Sequence, residues 1–344
     1  MNNDEVMVSI LCMAYNQEKY IRRCLEGFVK QKTDFAFEVI IHDDASTDGT
    51  PEIIKEFQEK YPNIIKPIFQ KENQYSTGIL IGKTYIYPKM SGKYMAQCDG
   101  DDYWTDEYKL QKQVDFLESH PDYALCFHPG KIIYEGCDKK PEIWPKLSYI
   151  NPKYYWKLLK GNYILANSIM YRFKYIQAIY EDYPRDIYPG DWFNHINVAK
   201  FGKIGFLPDV MTIYRRNCQG ISYTVSDNPV REIYLKYNYK VINFHYEVYQ
   251  RVKDLYPQYF ERVFLPIFEE VVSICFAEGK FDELKYIYDK YPQYMDKIES
   301  IRVEKFNSVE KKYKKYRKLY RILLLISITL TVLFTLFITF ISLI

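Results

Sequence analysis

Lys93-Tyr94-Met95-Ala96-Gln97-Cys98-Asp99-Gly100-Asp101-Asp102-Tyr103-Trp104 is the stretch that decides the fold class. It runs apolar through Cys98 and then stops at three carboxylates around a glycine. The same figure occurs earlier, where Phe37-Glu38-Val39-Ile40-Ile41 runs into His42-Asp43-Asp44. Apolar runs of this length read as strands buried on both faces of a parallel sheet, and ligands of open α/β sheets bind outside the carboxyl ends of such strands. Clustered like charges are costly unless a cation or hydrogen-bond donors offset them. Mg²⁺ or Mn²⁺ takes oxygen ligands and bridges carboxylates to substrate phosphates. A lone Asp-Gly-Asp-Asp reads as a solvated turn. Two carboxylate sites at the ends of separate strands favour a metal–diphosphate platform.

Outward from this stretch, strand and helix alternate. The continuous apolar run Val6 to Ala14 predicts a further buried strand, followed by a helix over Glu18 to Lys30 with apolar residues at helical spacing. Ser46 to Pro51 predicts a loop and helix start, with Pro51 early in the helix, where its missing N–H costs little. Next come a helix over Glu52 to Lys60, a strand over Ile64 to Phe69, a helix over Asp106 to Ser119 and a strand over Tyr123 to His128. This rhythm predicts a nucleotide-binding α/β domain with a mostly parallel central sheet. From Pro141 to Gly220 the chain is loop-rich, with strands expected over Ile164 to Tyr171 and Gly205 to Tyr214. From Asn228 to Lys318 it is helical, broken at Pro257, Pro266, Gly279 and Pro292. The organisation expected is a domain over 1–225, a Tyr-rich helical region over 226–321 and a membrane helix over 322–344.

The membrane helix is expected from 23 consecutive uncharged residues, Ile322 to Ile344, which span roughly 34 Å as a helix and suffice to cross a bilayer. Before it, Lys311 to Arg321 carries seven basic residues and no acid. By the positive-inside rule this collar places the body in the cytoplasm, on a single-pass inner-membrane protein. The seven charges exceed the whole-chain net charge of +3, so the rest of the chain is acidic, which excludes a dedicated nucleic-acid binder. The 7 cysteines are odd in number and lack zinc-ligand spacing, which reads as free thiols in a reducing compartment. The acidic N-terminus lacks the basic flank of a signal peptide. With 36 Tyr, the chain is rich in a residue that suits sugar stacking or a membrane interface.

Val8 to Asn16 resembles the opening strand of family 2 glycosyltransferases, inverting enzymes of the GT-A fold. Glu38 to Thr50 is similar to that family's "VDDGSTDGT". Lys93 to Trp104 is similar to its "GKYIAxxDxDDxW" element carrying the DXD motif, and Lys109 to Leu117 to its "KLxKQVxFL" helix. The resemblance covers roughly residues 6 to 128, in the family's order and spacing. It is closest to the bacterial surface-polysaccharide type.

The resemblance implies roles for individual residues. Ala14, Tyr15 and Asn16 match the loop bordering base and ribose. Asp43 and Asp44 match the acidic pair of which one member bonds the base, Asp44 being favoured. Lys83-Thr84 stands where the family has Arg-Asn near the donor diphosphate, which keeps a charge and loses a planar fork; an exposed salt bridge is its alternative. Asp99 and Gly100 match the DXD segment at the ribose, and Asp101 the metal ligand. An inverting transfer needs a base for the acceptor hydroxyl. Asp191, opening a helix before a "G-K-I" turn, is the candidate, with a plain N-cap as the alternative. Asn167 to Arg172 resembles "T-S-x-M-x-R", and Tyr214 to Ser222 the "Y-R-x-x-x-x-S" loop over the diphosphate, where Arg215 or Arg216 would stabilise the leaving group, a structural role at the strand end being the alternative. Trp104 and His195 read as packing residues, and His128 is left open.

The expectation is a glycosyltransferase dependent on Mg²⁺ or Mn²⁺. It would move a sugar from a nucleotide-diphosphate donor to a saccharide or lipid-linked acceptor hydroxyl, in cell-surface polysaccharide or glycolipid assembly. The helical region leaves room for an oligomer. The alternative class is a membrane-tethered, non-catalytic scaffold on a degenerate transferase fold. A nucleotidyltransferase would want a Gly-rich phosphate loop, which the sequence lacks.

Overall fold

The computed structural model describes residues 5–136, 138–146, 155–216 and 229–294, with 296, 299, 300 and 303. The chain runs through β1 (Val6–Ala14), α1 (Ile21–Val29), β2 (Ala36–Asp43), α2 (Thr50–Lys60), β3 (Ile65–Phe69), β4 (Tyr94–Gln97), β5 (Tyr103–Trp104), α3 (Lys109–Ser119) and β6 (Tyr123–Phe127). It continues through β7 (Gly130–Tyr134), β8 (Glu142–Trp144), α4 (Tyr155–Lys160), β9 (Met170–Arg172), α5 (Phe173–Tyr180), α6 (Gly190–Val198), β10 (Lys203–Phe206) and β11 (Thr212–Arg216). The helices α7 (Pro229–Val252), α8 (Leu265–Ala277) and α9 (Phe281–Lys290) follow. Two compact units divide it: Met1–Glu232 with Asn243–Tyr259, and Ile233–Ile242 with Phe260–Ile344.

In the first unit a seven-stranded sheet has the order β10-β6-β9-β4-β1-β2-β3. The pairs β1–β2, β1–β4, β2–β3 and β6–β10 are parallel, while β9 runs antiparallel between β4 and β6. Val8, Ile10, Val39, Ile41, Tyr94 and Ala96 are fully buried with Leu25, Phe28 and Ile54 of the covering helices, as expected for strands apolar on both faces. The register sets Leu11 against Gln97 and Ala14 against Asp43, so both acidic segments emerge at the same end of the sheet. A second sheet, β5-β11-β7-β8, includes the residues just past Asp102.

Three sequence expectations need correction. The strand expected over Ile164 to Tyr171 is a turn at Ala166–Ser168 followed by the short β9. The Ser168 hydroxyl donates to the Leu165 carbonyl at 2.8 Å, a local bond that competes with a ladder. The strand expected over Gly205 to Tyr214 is two strands in different sheets, β10 and β11. Pro208 lies between them and has no N–H to give a ladder. The strands β7 and β8 were not foreseen. The expected boundary at 225 and the segment 304–344, with its basic collar and apolar run, lie outside the described residues. Among the described residues no helix is long and apolar enough to cross a membrane.

Two buried charges tie the first unit together. Glu38 is fully buried and accepts bonds from the Ser9 hydroxyl (2.6 Å), the Ser91 N–H (2.7 Å) and Lys66 Nζ (2.5 Å). Burial opposes its charge, yet the bonds from Lys66, Ser9 and Ser91 hold its carboxyl below the usual range. Gly92 then passes so close that a Cβ would lie 2.5 Å from the Ser9 nitrogen. Lys109, also fully buried, donates to Gln113 Oε1 at 2.7 Å and has its Nζ 3.9 Å from the centre of the Trp104 ring.

In the second unit α8 packs on α9, and the ring of Tyr239 lies 4.3 Å from that of Tyr286. Lys280 Nζ donates to the Leu235 carbonyl at 2.6 Å.

Burial pulls the Lys109 amine down to about 7. An unfolded lysine titrates near 10.4, so between those values the unfolded chain binds the proton and the folded chain does not. Stability from this group therefore rises with pH across the window and is lost as pH falls through it. In urea unfolding, wild type should gain on Lys109→Met between about pH 7 and pH 9.5. A difference in midpoints that stays constant would contradict this.

Candidate active site

The carboxyl ends of β1, β2 and β4 build one acidic floor. Asp44 is buried and fully engaged: its oxygens accept the backbone N–H groups of Gln74 (2.7 Å) and Tyr75 (3.0 Å). Asp43 accepts only the Ser46 N–H on Oδ2, at 3.2 Å, and its Oδ1 is buried without a partner. Burial, opposed by the Ser46 bonds, raises the Asp43 carboxyl. The sequence preference for Asp44 as base ligand thus meets a different geometry: of the pair, Asp43 keeps the spare acceptor. Ala14 is buried and its carbonyl accepts the Asp44 N–H at 3.0 Å. Asn16, at φ 52°, bridges two loops, accepting the Thr47 N–H at 2.8 Å and donating its own N–H to the Ser46 hydroxyl at 2.9 Å. The Tyr15 ring is 48% exposed and open to stacking.

The second acidic segment is held as tightly. Gly100 donates its N–H to the Met13 carbonyl at 2.9 Å, and a Cβ there would lie 2.7 Å from Ile21 Cδ1. Beneath the loop the buried thiols of Cys24 and Cys98 donate to the Asp99 carbonyl at 3.5 and 3.8 Å. The five described cysteines are all free. Asp102 faces inward, accepting Asn167 Nδ2 (2.9 Å) and the Arg215 N–H (2.7 Å), so it acts as an anchor. Asp99 keeps a buried Oδ1 without a partner, and burial, with Asp101 and Asp191 adding like-charge repulsion, pushes its carboxyl up to about 7. Burial raises Asp101 as well, opposed in part by Arg215.

Asp191 joins this cluster from the other half of the chain. It lies in the first turn of α6, whose apolar face, Phe193, Ile196 and Val198, is buried. Tyr183 donates its hydroxyl to the Gly190 carbonyl at 3.2 Å and Trp192 Nε1 donates to the Leu158 carbonyl at 2.7 Å, which fixes the start of the helix. Asn162 Nδ2 reaches Asp191 Oδ2 at 3.4 Å. A helix N-terminus favours a carboxylate, but burial outweighs it and raises the Asp191 carboxyl. Tyr214 of β11 sits between the halves, its phenol raised by burial and then by Asp102 and Asp191.

The cations are arranged differently from the expectation. Arg215 directs its Nε to the Asp101 carbonyl (2.9 Å) and pairs with Glu135, so its guanidinium braces the loop. Arg216 lies over the Tyr134 ring and keeps a buried Nε without a partner. Lys83 is exposed on the helical turn Gly82–Ile86, which packs against β2, and makes no ion pair among the described residues. His195 is buried and bonds the Tyr171 hydroxyl at 2.6 Å, and burial lowers its imidazole to about 3. It is a packing residue, as is Trp104, whose Nε1 donates to the Asn167 carbonyl at 2.9 Å. His128 is buried against the Pro129 carbonyl. Glu135, Tyr20 and Asn162 carry no role in the sequence reading, because single residues at strand and helix ends have no spacing signal.

Among the described residues no three His, Cys, Asp or Glu side chains converge into a metal cage. The donors present, Asp101 and the unpartnered Oδ1 of Asp99, suit a hard cation that completes its shell with phosphate oxygens and water.

The family profile described as "Glycosyl transferase family 2" matches residues 9–218, which contain both acidic segments and Asp191. The chain belongs to this family. The uncharacterized protein Rv1520 of Mycobacterium tuberculosis is 44% identical over 214 residues, 62% of this chain and 60% of that protein. The chain thus spans less than two thirds of that relative's length. TuaG of Bacillus subtilis, provisionally named a teichuronic acid biosynthesis glycosyltransferase, is 32% identical over 117 residues, 34% of this chain and 44% of TuaG. The structure of S. aureus TarS 1–349 with UDP-GlcNAc superposes with a TM-score of 0.51 at 19% identity, covering 78% of this chain and 79% of that one. The GT-A type of α/β fold with a mixed sheet follows from the family and this likeness.

The asymmetry between the two β2 carboxylates is testable. Asp43→Ala should weaken nucleotide binding about ten-fold by calorimetry, the cost of one lost hydrogen bond to a buried partner, with little change in the melting midpoint. Asp44→Ala, which strips two backbone N–H groups of their acceptor, should lower the melting midpoint first. The reverse pattern would return the base-binding role to Asp44.

Proposed function

We propose that the chain is a metal-dependent inverting glycosyltransferase that moves a sugar from a nucleotide-diphosphate donor to an acceptor hydroxyl. The observation that carries this is the approach of Asp191 to Asp99, both half-buried, at one acidic site within the matched family segment, reached from opposite halves of the chain. Asp101, with Asp99 beside it, would hold Mg²⁺ or Mn²⁺, which when bound would neutralise charge on the diphosphate. Asp43 would accept a hydrogen bond from the base, and the exposed Tyr15 ring would stack on it. Arg216 and Lys83 are the cations available to the leaving diphosphate.

Asp191 takes the proton from the acceptor hydroxyl as that oxygen attacks the anomeric carbon and the nucleoside diphosphate departs on the opposite face. Burial suits it to this work, because a carboxylate whose affinity for protons is raised is the stronger base. TarS is bound to UDP-GlcNAc in its structure, which supports a donor of this class, and TuaG is named for teichuronic acid biosynthesis, which supports a polysaccharide acceptor. The basic collar and the apolar run Ile322 to Ile344 fit a single-pass anchor that keeps the catalytic unit on the cytoplasmic face, next to a lipid-linked acceptor.

With a panel of nucleotide sugars, the full chain should release nucleotide only when Mg²⁺ or Mn²⁺ is present, and Asp101→Ala should abolish the release. Release without metal would sink the mechanism. Asp191→Asn should cut kcat by roughly 10²–10⁴ while leaving the donor KM within a few-fold. The acid limb of kcat should sit above the ordinary carboxylate range, because Asp191 acts deprotonated and its carboxyl is raised. Asn162→Ala removes a bond that favours the charged form, so it should move that limb to higher pH; a move downward would exclude Asp191 as the titrating group.

A further inference from the structure

Arg215 is tied into the first unit by its backbone and its guanidinium together. Its own N–H binds Asp102 Oδ1 at 2.7 Å, and its Nε binds the Asp101 carbonyl at 2.9 Å, so one residue grips two consecutive members of the acidic loop. The rest of the guanidinium is taken from outside the loop. Glu135, one residue beyond β7, pairs with Nη1, and the plane lies 4.6 Å from the centre of the Tyr20 ring. Tyr20 closes the arrangement by donating its hydroxyl to Glu135 Oε2 at 2.7 Å. Glu135 itself is fastened to β11 by its N–H, which donates to the Arg216 carbonyl at 2.9 Å. The Arg215 side chain is 11% exposed.

We propose that Glu135 and Tyr20 are positioning residues that hold Arg215 against the Asp101 carbonyl and so set the acidic loop to receive the donor's diphosphate. The clasp joins three segments: the start of α1 after the nucleoside-side loop, the Asp99–Asp102 loop, and the second sheet. A buried guanidinium without its carboxylate turns to the remaining negative charges near it, which here are Asp101 and Asp102 of the acidic loop. That would pull the loop out of register with the diphosphate, and displacements near 1 Å cost about a hundred-fold in rate in such sites. Lysine cannot substitute, since a point charge does not serve a carbonyl and a carboxylate in fixed directions at once. For the word diphosphate the proposal rests on the transferase reading above; the clasp itself does not.

The test uses the full chain as wild type, Glu135→Gln, Glu135→Ala, Tyr20→Phe and Arg215→Lys, with Glu56→Gln as control. Glu56 pairs with Arg22 on the exposed faces of α1 and α2. Amide hydrogen exchange without ligand should quicken about five-fold or more across 99–104 in Glu135→Ala and Arg215→Lys, and less in Tyr20→Phe and Glu135→Gln, with the control unchanged. In turnover with titrated Mn²⁺, the half-maximal metal concentration should rise by a larger factor than kcat falls. Unaltered exchange across 99–104 overturns the clasp. So does an unmoved metal midpoint accompanied by a parallel loss of kcat and melting temperature, which marks a merely structural role. If wild type turns over no nucleotide sugar with any divalent metal, the transferase reading fails, and the exchange data still decide the clasp.

Discussion

Burying several carboxylates at one end of a sheet is the constraint on which the rest of this site depends. Asp43, Asp44, Asp99, Asp101, Asp102 and Asp191 lie in the same acidic end of the first unit, where an ion without partners is costly. The chain resolves the conflict by dividing the group. Asp44 is satisfied by two backbone N–H groups, and Asp102 by an amide side chain and a backbone N–H. Asp43 and Asp99 each keep one buried oxygen without a protein partner. A stability-driven design would satisfy or delete those oxygens. In the proposed transferase those oxygens are where outside donors and a cation would enter; burial, with repulsion from Asp101 and Asp191, raises Asp99 to about 7.

That division is a consequence of strand register. Pairing Leu11 with Gln97 and Ala14 with Asp43 brings three strand ends level, so each acidic loop can be tied to β1 through main-chain bonds from Asp44 to Ala14 and from Gly100 to Met13. A slip of one residue in either pair would turn the carboxylates to the opposite face. Glu38 guards against such a slip on the far side of β1. Its carboxylate joins Ser9 of β1, Lys66 of β3 and Ser91 just before β4, and so fixes the strands that supply both acidic loops.

The parts of this arrangement that were legible in the sequence are those specified locally. Apolar runs announced β1, β2 and β4, the last two by ending in aspartates, because burial on two faces leaves marks on every residue, and the family resemblance around Asp191 announced α6. Where long-range contacts decide, the sequence misled or was silent. Ile164 to Tyr171 is apolar enough for a strand, yet the Asn167 amide reaches Asp102 and the Ile213 carbonyl instead, and the backbone turns to allow it. Arg215 could be read as a leaving-group cation or as a structural arginine, and nothing local could choose, because its partner Glu135 stands 80 residues away in the chain. Asp44 and Asp43 are adjacent and chemically identical; only the return of the Gln74–Tyr75 turn distinguishes them.

The abundance of tyrosine has a comparable explanation, in which the ring and the hydroxyl do separate work. The ring of Tyr87 lies 4.7 Å from that of Tyr180, which stacks at 4.2 Å on Tyr183, which in turn meets Phe193 of α6 at 5.2 Å. The stack starts on the segment that carries Lys83 and ends on the helix that carries Asp191. Phenylalanine would supply the same apolar area, about what is needed to bury that face. It would leave the Gly190 carbonyl at the head of α6 without the bond that Tyr183 gives it, and Asn194 without the Tyr180 oxygen that its amide approaches at 3.5 Å. Around the half-buried Asp191, the hydroxyls convert a packed aromatic layer into a defined helix start. Tyrosine that reads along the chain as suited to sugar stacking or a membrane interface is, in this unit, part of what holds Asp191 in place.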